Sequence, residues 1–260
     1  MSDRPVETEA GLLADLVALG VETGVTLVVH SSLSAVGWVE GGAPTVVRAL
    51  LGAVGENGTL AMPAATPSGA DPTDSADPPE SDEELERLRD DVPLFDRETT
   101  ATELGAVPEC FRTWPGTLRS DHPVESVCAR GPLAEEITRS HPLAFSEGDG
   151  SPWERLHEAD ARILLLGVGF NRCTALHYAE SQVEKRRVMR VKFPILEDGR
   201  RVWVEHPNVA DDNDTHFPVI GERYLAAGRA TRGTVSEAET VLCSMRDLVE
   251  FATRFFDSKL

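Results

Sequence analysis

The run "ARILLLGVG" at 161–169 most constrains the fold. An unbroken apolar segment this short, closed by glycines, fits a strand buried on both faces, the kind found where helices cover both sides of a sheet. Such a strand needs neighbours. "GVTLVVHSSL" supplies one, a short buried strand from Val25 to Val29 that runs into a polar turn, and "GTLAMPA" supplies another. Between them, "APTVVRALLGAVG" has helical spacing. Pro44 falls in its first turn, where a missing N–H costs little, and Gly55 stops it. Strand, helix, strand is the signature of a parallel pair. The expected fold is α/β: a single layered domain over residues 1–260, with a mixed, largely parallel central sheet flanked by helices.

Further helices are expected at 8–19, in "TELGAVPECFRTWPG" with an interruption near Pro108, in "PLAEEITRSH", in "TALHYAESQVEK", and over 216–228 and 236–256. "GSPWERLHEAD" reads as a helix with Ser151 as N-cap and Pro152 at its first position. "ESVCARG" is strand-like, and "RVKFPILEDGRRVWVEHP" reads as a late β-hairpin turning at Asp198-Gly199. Residues 65–93 are rich in Pro, Asp, Ser and Glu and read as an acidic surface insertion with a short charged helix at 81–90.

Charge narrows the partners. A formal net charge of −19 repels phosphates, so neither nucleic acid nor an anionic membrane is an expected partner. The basic residues are almost all arginine; only Lys185, Lys192 and Lys259 are lysines, against 44 acids. Such a surface stays hydrated in concentrated salt, where screening relieves self-repulsion, and a halophilic cytoplasm is the expected setting. "MSDRPVETEA" lacks the basic-then-apolar pattern of a signal peptide, and no run approaches the ~18 apolar residues of a membrane span. Cys110, Cys128, Cys173 and Cys243 are scattered with no CxxC pair, so reduced thiols and no bound metal are expected.

Four polar stretches are candidates for chemistry. "HSSLSAVGWVEGG" leaves the C-terminal end of a strand, where open α/β sheets bind ligands, and is compatible with a phosphate or carbonyl cradle as well as with a plain turn. It is no Walker A loop, since GK[ST] is missing. "LRSDHPVESVCARGP" packs Arg119, Ser120, Asp121, His122 and Ser126 into eight residues, fitting either a ligand wall or an Asx-type turn fixed by Pro123. In "TALHYAE", His177 falls on the first turn of a helix after the most buried strand, where the positive helix end favours neutral imidazole, the form a general base needs. A structural histidine satisfies the same letters. Glu180 is spaced to hold His177 by an i,i+3 contact or to be solvated. "ADDNDTHF" clusters Asp211, Asp212 and Asp214 but lacks the glycine and terminal glutamate of a calcium loop, leaving a solvated loop or a polycation site.

Taken in order, these segments resemble the aminoglycoside 3-N-acetyltransferase family, the non-GNAT antibiotic acetyltransferases. "LVVHSSLSAVGWVEGG", "LRSDHPVESVCARGP", "LLLGVGFNRCTALHYAE" and "PILEDGRRVWV" carry the likeness, which spans about residues 10–255. The resemblance implies an α/β fold, acetyl-coenzyme A as donor, and a cationic small-molecule amine, the 3-amino group of a deoxystreptamine ring, as acceptor. It implies His177 as the catalytic base, with Glu205, Asp211 or Asp212 supplying its carboxylate partner. It implies that His30, Ser31, Ser32, Leu33 and Val36 contact the coenzyme from one wall and Ser120, His122, Ser126 and Val127 from another. On the acceptor side it implies Asp71, Glu180, Glu205 and Asp214. A coenzyme A-binding protein without activity, or an acetyltransferase of another amine, are the rival expectations.

Overall fold

Burial on both faces is realised at the centre of the molecule. In the computed structural model, which describes residues 6–74, 78–210 and 213–259, Leu27, Val28, Val29, Ile163, Leu164 and Leu165 are all inaccessible to solvent. In chain order the elements are α1 (Glu9–Leu19), β1 (Thr26–Ser31), α2 (Leu33–Val36), α3 (Ala43–Val54) and β2 (Thr59–Pro63). There follow α4 (Asp82–Asp91), α5 (Ala106–Arg112), β3 (Leu118–Arg119), β4 (Val127–Arg130), α6 (Ala134–Thr138), α7 (Pro152–Glu158) and β5 (Arg162–Leu166). The chain continues through α8 (Ala175–Ser181), β6 (Val188–Glu197), β7 (Arg200–Val209), α9 (Asn213–Ala226), β8 (Thr231–Val235), β9 (Ala238–Ser244) and α10 (Met245–Asp257).

Among the described residues, seven strands form one sheet in the order β3-β4-β2-β1-β5-β9-β8. Its side chains alternate between two cores, as the period of a strand requires. Val28, Ile163 and Leu165 pack with Trp153 of α7, Leu176 of α8 and Leu248 of α10. Leu27, Val29, Leu164 and Leu166 pack with Leu12 and Leu16 of α1, Leu50 of α3 and Phe111 of α5.

The sheet is mixed, as expected, but only its centre is parallel. β1 pairs in parallel with β2 and β5, while β4, β3, β9 and β8 join antiparallel. The expected helix at 236–256 is corrected accordingly: β9 occupies its first third, turns back from β8 at Ser236 in the left-handed region (φ 51°), and lies against β5. Ser244 then caps α10 by accepting from the Asp247 amide. The interruption expected at Pro108 is absent, because Pro108 falls in the first turn of α5, where no intrahelical partner is lost.

Among the described residues β6 and β7 pair only with each other, turning at Asp198-Gly199 where both residues have positive φ. This hairpin is clamped to the acidic insertion. Asp71 is buried and accepts two bonds from Arg89 of α4, at 2.9 and 2.7 Å, with the Lys192 ammonium of β6 3.7 Å away. Arg89, Lys192 and Arg201 all approach the Trp203 ring, at 5.6, 5.9 and 5.6 Å from its centroid.

Candidate active site

The C-terminal ends of β1, β2 and β5 open into a cleft of about 700 Å³. Its floor is Val29, His30 and Ser31 of β1; Val168, Asn171, Arg172, Thr174 and His177 come from the connection after β5 and the start of α8. The hairpin contributes Met189, Val191, Asn208 and Val209. Placement of the cleft follows from topology: the parallel strands at the sheet centre all release their chains on the same edge.

His177 stands on the first turn of α8, its amide donating to Thr174 O at 3.0 Å. Its side chain is 12% exposed and meets the Phe217 ring edge-on, with centroids 4.7 Å apart. Nδ1 lies 3.6 Å from Oε2 of Glu180, which is 1% exposed, and the other Glu180 oxygen lies 3.6 Å from an Arg187 nitrogen. Glu180, expected on the acceptor side, is therefore behind the histidine rather than in the cleft. A 3.6 Å separation is electrostatic rather than a hydrogen bond, a looseness common before substrate binds. Of the expected partners, Asp211 and Asp212 lie outside the described residues.

His30 and Ser31 are brought to the cleft as expected. His30 is buried beside Trp153, ring centroids 6.1 Å apart, and burial pushes its imidazole down to about 4. Its Nε2 and the Ser31 hydroxyl are buried without a hydrogen-bond partner. Unmet polar groups at a cleft floor are unusual in folded proteins and point to a ligand. Ser32 and Leu33 stand at the rim of the same turn, where the Ser32 and Ser34 hydroxyls meet at 3.0 Å, while Val36 is fully buried and serves the core.

The second expected coenzyme wall is different. The Ser120, Ser126 and Val127 side chains are all inaccessible, and both hydroxyls are committed inside the protein. Ser120 Oγ is 2.9 Å from His141 Nδ1 and accepts from the Val127 amide, while Ser126 Oγ donates to Ala64 O and accepts from Arg119 Nε. His122 Nδ1 accepts from the amides of Val124 and Glu125, at 3.1 and 2.9 Å. These side chains brace the cleft from behind; only Val124 and Glu125 of this stretch reach it.

None of the residues expected on the acceptor side lines the cleft. Asp71 is consumed by Arg89, Glu205 is exposed on the hairpin 3.7 Å from Arg190, and Asp214 accepts from Asn171 without lining the cleft. Among the described residues, the carboxylates that do line it are Glu103, Glu125 and Glu147. Glu103 is fastened to the Ser68 hydroxyl and amide, and buried Glu147 accepts from Ser146 Oγ at 2.8 Å and Asn208 Nδ2 at 3.1 Å. They come from three separate connections, so no local pattern announces them.

A sequence profile described as aminoglycoside 3-N-acetyltransferase matches residues 28–257. The chain belongs to the aminoglycoside 3-N-acetyltransferase family. It is an acyltransferase of that family, and the aminoglycoside 3-N-acetyltransferases it resembles match it nearly end to end. The prophage-derived aminoglycoside N(3')-acetyltransferase-like protein YokD of Bacillus subtilis is 35% identical over 97% of this chain and 94% of its own. Its crystal structure superposes with a TM-score of 0.92, covering 98% and 96% of the two chains at 34% identity. Aminoglycoside N(3)-acetyltransferase VII of Streptomyces paromomycinus is 36% identical over 100% of this chain and 94% of its own. The AAC-IIIb enzyme, solved as a binary complex with CoASH, has a TM-score of 0.85 at 31% identity and 98% coverage of both chains.

Proposed function

We propose that this protein transfers acetyl from acetyl-coenzyme A directly to the 3-amino group of an aminoglycoside, with His177 as general base. The observation that carries the reading is the His177–Glu180 pair on the wall of a cleft lined by Glu103, Glu125 and Glu147 among the described residues. Glu180 beside Nδ1 orients the ring for proton transfer and stabilises the imidazolium once formed, the division of labour of an orienting carboxylate. The acceptor nitrogen bonds to the thioester carbonyl carbon, His177 takes the amine proton, the C–S bond breaks, and the proton passes to the departing sulfur. No acyl-enzyme is required.

The developing carbonyl oxyanion needs donors about 3 Å away. The Ser120 and Ser126 hydroxyls are engaged elsewhere, and the Ser32 amide donates to Leu166 O at 2.9 Å. His30 Nε2 and Ser31 Oγ remain, and both fit a coenzyme whose thioester end lies over β1. His30, uncharged down to about 4, presents a neutral ring throughout the working range. Glu103, Glu125 and Glu147 suit a polycationic acceptor, as does the acetyl acceptor implied by the relatives' names. The acid-rich, lysine-poor surface supports work in a salt-rich cytoplasm.

The deciding experiment is thiol release from acetyl-coenzyme A across a panel of aminoglycosides and simpler amines, run in concentrated salt. Turnover restricted to acceptors carrying the deoxystreptamine 3-amino group is expected. Equal turnover with unrelated amines would move the activity to another substrate class, and coenzyme binding without release for any acceptor would leave a binding protein.

A further inference from the structure

The hairpin is gripped near both of its ends. Among the described residues no ladder joins it to the seven-stranded sheet, so individual bonds must set its distance from the cleft. Toward its open end, the Phe145 amide donates to Pro207 O at 2.8 Å and Asn208 Nδ2 donates to Ser146 Oγ at 2.9 Å. Toward its turn, the grip comes from the acidic insertion and centres on Asp71.

Both carboxylate oxygens and the amide of Asp71 are engaged. Oδ2 takes the two Arg89 bonds, Oδ1 accepts from the Thr73 amide and hydroxyl at 3.0 and 2.8 Å, and the amide donates to Lys192 O of β6 at 2.7 Å. Arg201 of β7 adds a second tie, its guanidinium donating to the carbonyls of Arg89 and Val92, both at 2.6 Å. This joint borders the cleft from both sides of the Asp71–Lys192 bond. Ala70 precedes Asp71, Val191 precedes Lys192, and both line the cleft. Pro67 lines it too, and Ser68 beside it fastens the cleft carboxylate Glu103. A shift at the joint would therefore move an apolar wall and one acid of the cleft, whereas His177 and the β1 floor belong to other elements.

We propose that the Asp71–Arg89 ion pair is a positioning device for acceptor specificity: it locks the insertion to the hairpin and so fixes the width of the cleft between Ala70 and Val191, with Glu103 held alongside. This rests on the acceptor reading given above and deepens it. Asp71 acts through its neighbours, since its carboxylate is spent on Arg89 and Thr73. A buried ion pair contributes little net stability but can hold one arrangement against others. Burial also shields it from the salt that screens exposed pairs, so the joint stays closed where a surface pair would weaken.

Steady-state kinetics on the full chain, with acetyl-coenzyme A and an aminoglycoside each varied, tests this in Arg89→Gln, Arg89→Lys and Arg201→Gln. Arg89→Gln should raise the acceptor KM about fivefold or more while kcat and the donor KM stay within about twofold, and Arg89→Lys, which keeps a charge beside Asp71, should recover part of the loss. Arg201→Gln removes an exposed side chain and loosens the same joint without stranding a buried charge, so a smaller rise of the same kind is expected. It carries the comparison should Arg89→Gln fail to fold. An unchanged acceptor KM in the folded variants would overturn the inference and leave the acceptor reading standing. Parallel losses in kcat and in both KM values, the mark of general loosening, would do the same. Wild type that acetylates no aminoglycoside would overturn the acceptor reading and the inference together.

Discussion

Oε2 of Glu180 lies 3.6 Å from Nδ1 of His177, one helical turn further along α8. The pair is fixed by backbone geometry, since residues three apart share a helix face. His177→Ala is expected to lower kcat at least about a hundredfold with CoASH affinity kept within a few-fold. Glu180→Gln should lower kcat by about tenfold or more without raising the acceptor KM. Steady-state kinetics with both substrates varied checks this, and near-normal turnover in His177→Ala would remove the base.

Acceptor recognition should split from chemistry at the carboxylates. Glu147→Gln is expected to raise the acceptor KM about tenfold at constant kcat, and Glu103→Gln, at an exposed site, by less. Adding salt should raise the wild-type acceptor KM and narrow the difference. If kcat falls in place of a KM rise, Glu147 belongs to the chemistry.

Acid should unfold the protein early. Burial depresses His30 and His141 to about 4 and holds His122 well below its usual range. Between about pH 6.5 and 4 the unfolded chain binds more protons than the folded one, so the contribution is complete above about 6.5 and is lost as pH falls through about 4. The loss is on the order of 3 kcal/mol for each of His30 and His141. Urea midpoints measured across that window should decline, and His141→Gln should flatten the decline.

Arg119 is a buried cation whose hydrogen-bond partners are all neutral: Ser126 Oγ at 2.8 Å, Ala64 O at 2.8 Å and Thr100 O at 2.5 Å, with the Phe95 ring 4.8 Å from its guanidinium carbon. It ties the segment leading to Glu103 against the end of β2. Arg119→Met should cost about 2–4 kcal/mol of stability by orphaning those oxygens. Limited proteolysis should then cut within 95–103 first; unchanged stability and an unchanged cleavage pattern would leave Arg119 without this role.

The sequence was most legible where one element alone decides the outcome. β5 was readable because both its faces are apolar, and the β6–β7 hairpin because Asp198-Gly199 accepts positive φ. β9 was not, because "AETVLCS" owes its strand form to pairing with β5 and β8, which helical spacing cannot reveal. In the site, His177 was placed by the strand before it. The approach of Glu180 to His177 followed its i,i+3 spacing, while its burial away from the cleft did not. Ser120 and Ser126 looked available because His141 and Ala64, their partners, are 21 and 62 residues away in the chain. Glu103, Glu125 and Glu147 converge only through tertiary structure.

The β6–β7 hairpin has a consequence for how such a protein diversifies. Its ten cross-strand residue pairs are satisfied within itself, and none of them belongs to the seven-stranded sheet that carries His30 and precedes His177. Met189 and Val191 can therefore be exchanged to reshape that side of the cleft while the strands beneath keep their alignment, whereas Asn208 is held by its bonds to Ser146 and Glu147. The sheet and the hairpin above the cleft are thus two separately hydrogen-bonded bodies, and a change of sequence in one need not shift the register of the other.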